Sequence, residues 1–349
     1  MKAITFAGHR AVEYETVADP RIEESSDVII RVELAGVCGS DLHPYNGREQ
    51  GLDRGTPMGH EFVGEVVEAG SQVTSLTRGD RVYSPFTTSC GQCFYCREGL
   101  TSRCQRGQVF GWVSRGQGLS GGQAEYVRVP LADTTALAVP ADISEEKALL
   151  LGDVFSTGYF CAEMAGVSPT GTSVVIGCGP VGLFAIIAAR HLGAQRVFAV
   201  DSVAERLDLA RRFGATAIDF TSEDPVSIVG EATDGRGADA VMEAVGSPAS
   251  QRAAIALIRP GGTISVVGVH TEEQMAFSPV TAYDYNLTYR VGRCPARAYM
   301  ERLVPVVRDQ LDVDITEVIS HRLPLARGAE GYRMFDERRD GCTKVVLKP

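Results

Sequence analysis

Eight side chains of metal-binding type fall into two sets. Cys90, Cys93, Cys96 and Cys104 lie close together, the first three separated by two residues each. Four thiolates can surround one Zn2+ tetrahedrally at roughly 2.3 Å per sulfur, which leaves no position for a substrate. Such a site staples a loop and does no chemistry. Iron–sulfur ligation is the poorer reading, because the spacing does not follow cluster-binding runs. The second set is Cys38, the pair His60-Glu61, and Asp153. Sulfur, imidazole and carboxylate donors together are what an open, catalytic zinc site uses. Their spacing does not bring these four together, so the fold must.

A third constellation is Gly177-Cys-Gly179-Pro-Val-Gly182, fed by the apolar run Ser173–Ile176 and followed by a helical pattern. Glycines at 177, 179 and 182 permit a tight turn, close approach of backbone N–H groups to a pyrophosphate, and close helix–strand packing. The helix N-terminus then faces the phosphate charge. Asp201 ends the next apolar run, 19 residues after the last glycine. A carboxylate there accepts hydrogen bonds from ribose hydroxyls and repels a 2′-phosphate, which favours NAD over NADP. Arg206 lies one helical turn beyond, as a compensating charge or a surface for the adenine side. The bland alternative is an ordinary turn with Asp201 as a helix N-cap.

Bulk properties narrow the class. A chain of 349 residues is long for one core, so two domains are the default. A net charge of −10 argues against a nucleic-acid partner, which needs clustered Lys and Arg. Arg97, Arg103 and Arg106 are scattered among glycines and do not form the basic helix of a zinc finger. Met1-Lys-Ala-Ile-Thr-Phe-Ala-Gly8 reads as a strand and not as an export signal. With the cysteines better suited to metal than to disulfides, the expected compartment is a reducing cytoplasm. The uncharged run Val174–Ala189 contains three glycines and a proline. It predicts a buried strand-turn-helix and no membrane span, which needs about 18 apolar residues.

The elements that must position these residues change character along the chain. The first third predicts short antiparallel strands at Val28–Leu34, Glu65–Ala69, Arg81–Tyr83 and Gln123–Val129. Short helices are predicted at Glu145–Leu151 and Thr157–Ala165. Strands then alternate with helices: Ser173–Ile176, helix Pro180–His191, Arg196–Val200, helix Val203–Arg212, Ala238–Glu243, helix Ser250–Ile258 and Thr263–Val267. That rhythm is α/β, a doubly wound parallel sheet with helices on both faces. Pro180 at the start of its helix and Gly193 just past its end follow the usual asymmetry. The terminal run Lys344–Lys348 predicts a strand returning to the first domain.

Taken together, these residues resemble the zinc-dependent medium-chain alcohol dehydrogenases. The resemblance rests on Gly59-His60-Glu61-Phe-Val-Gly64 with Gly70 and Val73, on Cys38-Gly39-Ser40-Asp41-Leu42-His43, on the four-cysteine lobe, on Gly79-Asp80-Arg81-Val82 and on Gly177–Gly182. It implies a GroES-like, β-rich catalytic domain from residues 1–154 and 291–349, with a Rossmann domain at 155–290 between them. It implies two zinc ions per chain and NAD. Cys38, His60 and Asp153 match the catalytic zinc ligands, with Glu61 a nearby carboxylate able to replace a leaving water. Thr157 and Val181 match positions beside the nicotinamide and its ribose, and Val267 and Val269 a strand end that contacts the carboxamide. Lys344 matches a basic position near the pyrophosphate. Members of the family are homodimers or homotetramers.

The chain departs from the commonest pattern at Asp153, where alcohol-oxidising members usually have Cys. Asp resembles the branch of formaldehyde dehydrogenases and aldehyde dismutases with retained NAD; polyol dehydrogenases more often have Glu. An oxygen donor gives the metal less electron density than a thiolate, which makes zinc a stronger Lewis acid. A carboxylate that only hydrogen-bonds a ligand or water is the alternative for Asp153. The resemblance further implies a small alcohol or aldehyde substrate and a proton relay from the Ser40 hydroxyl through the cofactor ribose to His43. Phe86 and Trp112 are pocket candidates, or simply core aromatics.

Overall fold

The apolar residues of Val28–Val37 are buried on both faces of the strand apart from half-buried Leu34, and Arg31 is exposed. That strand is the centre of a seven-stranded sheet in the computed structural model, which describes residues 1–349. It pairs antiparallel with Glu61–Ala69, Tyr126–Val129 and Val345–Lys348. Arg81–Tyr83 extends the sheet beyond Glu61–Ala69, and His321–Pro324 lies parallel to Val345–Lys348. One core packs Val28, Ile30, Val32, Phe62, Val66 and Phe110. A second gathers Ile4, Phe6, Tyr45, Met58, Tyr332, Phe335 and Leu347. Each such side chain contributes about 1.5–3 kcal/mol when fully buried.

Register decides where the chemistry sits. Gly36 lies opposite Glu61, and Val37 opposite Val345. Cys38 follows the first strand, Glu61 opens the second, and Lys344 precedes the third. Three neighbouring strand ends therefore deliver a thiol, a carboxylate with His60 before it, and an ammonium to one place. The strand expected at Glu65–Ala69 thus begins earlier, at Glu61, and that expected at Val28–Leu34 runs on to Val37.

The chain forms two units. The first is Met1–Asp153, Pro295–Asp309 and Ile319–Pro349; the second is Val154–Cys294 with Gln310–Val318. Gln310–Val318 falls within the 291–349 stretch expected for the first. It joins the second because Glu317 pairs with Arg212 at 2.6 Å and Gln310 reaches His191 at 3.1 Å.

The second unit is built on six parallel strands, all paired in parallel. Their spatial order is Thr216–Asp219, Arg196–Asp201, Thr172–Ile176, Ala238–Glu243, Ile258–Val266 and Thr288–Val291. In chain order this is 3-2-1-4-5-6, the doubly wound arrangement with a crevice where the order reverses. Helix Pro180–His191 follows the first strand with Pro180 in its first turn and Gly193 beyond its end, at φ +100°. The helix expected from Thr157 starts at Val154. No helix is long and apolar enough to cross a membrane.

Candidate metal centres and dinucleotide loop

Cys38, His60, Glu61 and Asp153 converge in the first unit, with all four donor atoms within 4.8 Å of one another and all four residues buried. Cys38 Sγ lies 3.3 Å and His60 Nε2 3.4 Å from Asp153 Oδ2. Two donors about 2.0–2.3 Å from a tetrahedral zinc stand about 3.3–3.8 Å apart, so this donor set fits the ion. Asp153 reaches it from the end of helix Glu145–Gly152, whose N-cap is Ser144. Burial pushes the Cys38 thiol up to about 11, with Asp153 and Glu61 adding to the effect. His60 is held well above its ordinary value; burial works against that, and Asp41 and Cys38 outweigh it.

The Ser40 hydroxyl, in the turn Gly39–Asp41, points at the cluster, 3.2 Å from His60 Nε2 and 3.4 Å from Cys38 Sγ. His43 is buried in the following short helix, Leu42–Tyr45. Phe86 meets the His60 ring edge-on, at 6.4 Å between centroids. Trp112 packs instead against the core around Tyr45 and Met58.

Two supporting residues were not singled out from the sequence. Asp41 Oδ1 lies 3.2 Å from His60 Nδ1, which turns Nε2 toward the cluster. Its Oδ2 accepts from the Cys38 N–H at 3.0 Å and from Gln123 Nε2 at 3.1 Å. Gln123 in turn donates to Gly36 O and accepts from the Tyr332 hydroxyl at 2.8 Å. The sequence signal was a carboxylate three residues after Cys38, where a helical turn brings it back to the same backbone.

Lys344 does not lie on the surface, and its ammonium has a different neighbour from the pyrophosphate expected for it. It is fully buried, with Nζ 2.6 Å from Glu61 Oε1, 2.5 Å from Glu61 Oε2 and 3.0 Å from Val37 O. Burial pulls Lys344 down and the Glu61 carboxylate outweighs it, so the ammonium is held above its usual range. Burial pushes Glu61 up against the pull of Lys344. A Cβ on Gly36 would run into Glu61 Oε2, so glycine is required opposite this carboxylate.

Cys90, Cys93, Cys96 and Cys104 form the other cluster, with sulfurs within 4.8 Å and no disulfide among them. Cys93 and Cys104 sulfurs stand 4.0 Å apart. Zn–S bonds of roughly 2.3 Å at tetrahedral angles put sulfurs about 3.8 Å apart, so this set also fits zinc. Backbone N–H groups of Cys93, Cys90 and Arg106 point at the sulfurs of Cys90 and Cys104. Hydrogen bonds from the backbone, that of Gln105 foremost, bring Cys93 down to about 6. Cys90 is lowered as well, whereas burial pushes Cys104 up and Cys96 up to about 12.

In the second unit, Gly177 turns the chain at φ +87°, and a Cβ on Gly182 would strike Gly177 O. Asp201 sits at the end of its strand as expected, yet its carboxylate already serves the backbone. Oδ2 accepts from Cys178 N–H at 2.6 Å, and Oδ1 from Ser202 and Val203 N–H at 2.7 and 3.0 Å. It ties the glycine loop to the start of helix Ala204–Arg212, whose N-cap position is Val203. The Arg206 guanidinium lies 4.0 Å from where a Cβ on Gly179 would stand. Thr157 and Val181 are half-buried on helices Val154–Ala165 and Pro180–His191. Val267 donates its N–H to Glu243 O at 3.0 Å, and Val269 is exposed.

Comparison with known proteins agrees with this geometry. Residues 24–140 match the family described as alcohol dehydrogenase GroES-like domain, and residues 180–305 that described as zinc-binding dehydrogenase. A zinc-type alcohol dehydrogenase B of Aspergillus flavus is 42% identical across all of this chain and 81% of its own length. A medium chain reductase/dehydrogenase of an Acremonium species is 48% identical over 81% of this chain and 98% of its own. The solved alcohol dehydrogenase of Thermus sp. ATN1 superposes with a TM-score of 0.92 at 37% identity, covering 100% of this chain and 99% of that one. The chain belongs to the zinc-dependent medium-chain alcohol dehydrogenases and is an oxidoreductase that uses zinc and a nicotinamide cofactor.

Proposed function

We propose that this chain interconverts a small primary or secondary alcohol and its aldehyde or ketone, with NAD as the hydride partner. Zinc bound by Cys38, His60 and Asp153 supplies Lewis-acid polarisation of the substrate oxygen, and NAD supplies the hydride acceptor. Ser40 Oγ, beside these donors, takes the substrate hydroxyl proton as it releases its own, and His43 passes the proton on to solvent. Glu61, engaged by Lys344, is the reserve carboxylate. Asp41 fixes the His60 ring. Gly177, Gly179 and Gly182 offer backbone N–H groups to the pyrophosphate, Asp201 and Arg206 flank the adenosine side, and Thr157, Val181, Val267 and Val269 serve the nicotinamide end.

The observation that carries this reading is the meeting of a thiol, an imidazole and a carboxylate with a serine hydroxyl 3.2 Å from the imidazole. Cys90, Cys93, Cys96 and Cys104 would hold a second, structural zinc, giving two per chain. The catalytic domain would comprise residues 1–154 and 291–349 and the cofactor domain 155–290, in a cytoplasmic homodimer or homotetramer. Aldehyde dismutation with retained NAD, formaldehyde oxidation and polyol oxidation draw no support from the names of the relatives above. A panel of alcohols and aldehydes with NAD and NADP, followed at the reduced-nicotinamide absorbance, tests the reading. Turnover confined to aldehyde without added NAD, or no zinc in active protein, would overturn it.

A further inference from the structure

Glu243 is the last residue of strand Ala238–Glu243 and is fully buried. It binds two loops at once. Its Oε1 accepts from the N–H groups of Val245 and Gly246 at 2.7 and 2.8 Å. Its backbone oxygen accepts from Val267 and Gly268 at 3.0 and 3.2 Å. Its Oε2 lies 3.3 Å from His270 Nε2. With its hydrogen on Nε2 the ring donates to this carboxylate, and Nδ1 then accepts from Gln251 Nε2 at 3.3 Å, an amide that also lies 3.4 Å from Nε2. Gln251 Oε1 accepts from the Ala276 N–H at 2.7 Å, and Glu272 stands 3.6 Å from His270 Nδ1 on the outer side.

The two loops touch with no room to spare. A Cβ on Gly246 would collide with Val269 O, and one on Gly268 with Gly246 N. They leave the carboxyl ends of adjacent parallel strands, the edge of a doubly wound sheet where ligands bind. We propose that His270 is a positioning residue for the nicotinamide end of the cofactor, latching the segment Val267–Val269 to Glu243 and Gln251. This rests on the reading that Val267 and Val269 meet the cofactor.

The test uses the full-length zinc-loaded protein and NADH. Amide hydrogen exchange of residues 267–276 is measured with and without NADH, together with NADH affinity from nicotinamide fluorescence. His270→Ala speeds exchange in this segment, weakens NADH about tenfold, the order of one lost hydrogen bond to a charged group, and raises KM for NAD with kcat within about twofold. His270→Gln, which can still donate to Glu243 and accept from Gln251, recovers most of the affinity. Unchanged exchange or unchanged affinity in His270→Ala overturns the latch. Failure of NADH to protect residues 267–269 in the unaltered protein overturns the underlying cofactor reading instead.

Discussion

Lys344 and Glu61 form a fully buried ion pair, 283 residues apart in the chain and 2.6 Å apart in space. Taking two charges out of water costs several kcal/mol each, and their mutual contact, with the Val37 carbonyl, is the main offset to that cost. Lys344→Met strands a carboxylate, and the expected loss is about 3–5 kcal/mol of stability by urea titration. Adding Glu61→Gln should return most of it. A single variant as stable as the parent would mean that the pair contributes no charge.

Asp41 is expected to govern retention of the metal at the Cys38 site while leaving the four-cysteine site alone. Removing a carboxylate that orients a ligating histidine costs about 10–100-fold in metal affinity. Asp41→Ala should show that loss in a chelator competition, with Asp41→Asn intermediate because its amide oxygen still accepts from His60. Equal zinc retention in all three proteins would remove Asp41 from this role.

Cys104 has no chemical part in the reading above. Cys104→Ser should lower zinc content by one per chain and lower the thermal midpoint. Metal analysis beside a thermal scan checks both, and unchanged zinc content would refute the structural site.

Asp201→Asn turns an amide N–H toward one of the backbone N–H groups that the carboxylate now accepts from. The unmatched donors should weaken NAD about tenfold and cost about 1–3 kcal/mol of stability. Loss of affinity with no loss of stability would assign Asp201 to the ribose alone.

Asp133 gives a pH signature. Burial pushes its carboxyl up, and hydrogen bonds from Ser75 and Thr74 outweigh that, so it sits below its ordinary value. A carboxyl lowered by folding stabilises above its unfolded value of about 3.9 and loses that contribution as pH falls through the folded value. Asp133→Asn should therefore be less stable than the parent at neutral pH, by no more than about 1 kcal/mol at a site screened by solvent. The two unfolding midpoints should converge below about pH 4. A constant gap at all pH values would contradict the assignment.

Local signals made much of this legible. Pro180 and Gly193 bracketed their helix because proline suits a first turn and glycine adopts positive φ without cost. The strand ending at Val37 read short because Ala35 and Gly36 break its alternation, and Gly36 is there to admit Glu61. Phe62 and Val63 are both buried, so the start of the next strand had no two-residue rhythm to read. The ligand types were visible through their motifs. Lys344 was not readable as a buried partner, because register between strands so far apart leaves no trace in local sequence. Gln123 was hidden for the same reason, whereas Asp41 left only its three-residue spacing from Cys38.

The strand Val345–Lys348 is made long after its partners, yet it adjoins the strand end that carries Cys38. On a ribosome, Glu61 must wait in water for nearly three hundred residues before its counter-charge emerges. Joining these strand ends is therefore a late, long-range event, slow by the entropy of bringing distant segments together. Premature termination anywhere in that interval leaves the backbone of Ala35–Val37 without its strand partner and Glu61 without its counter-charge.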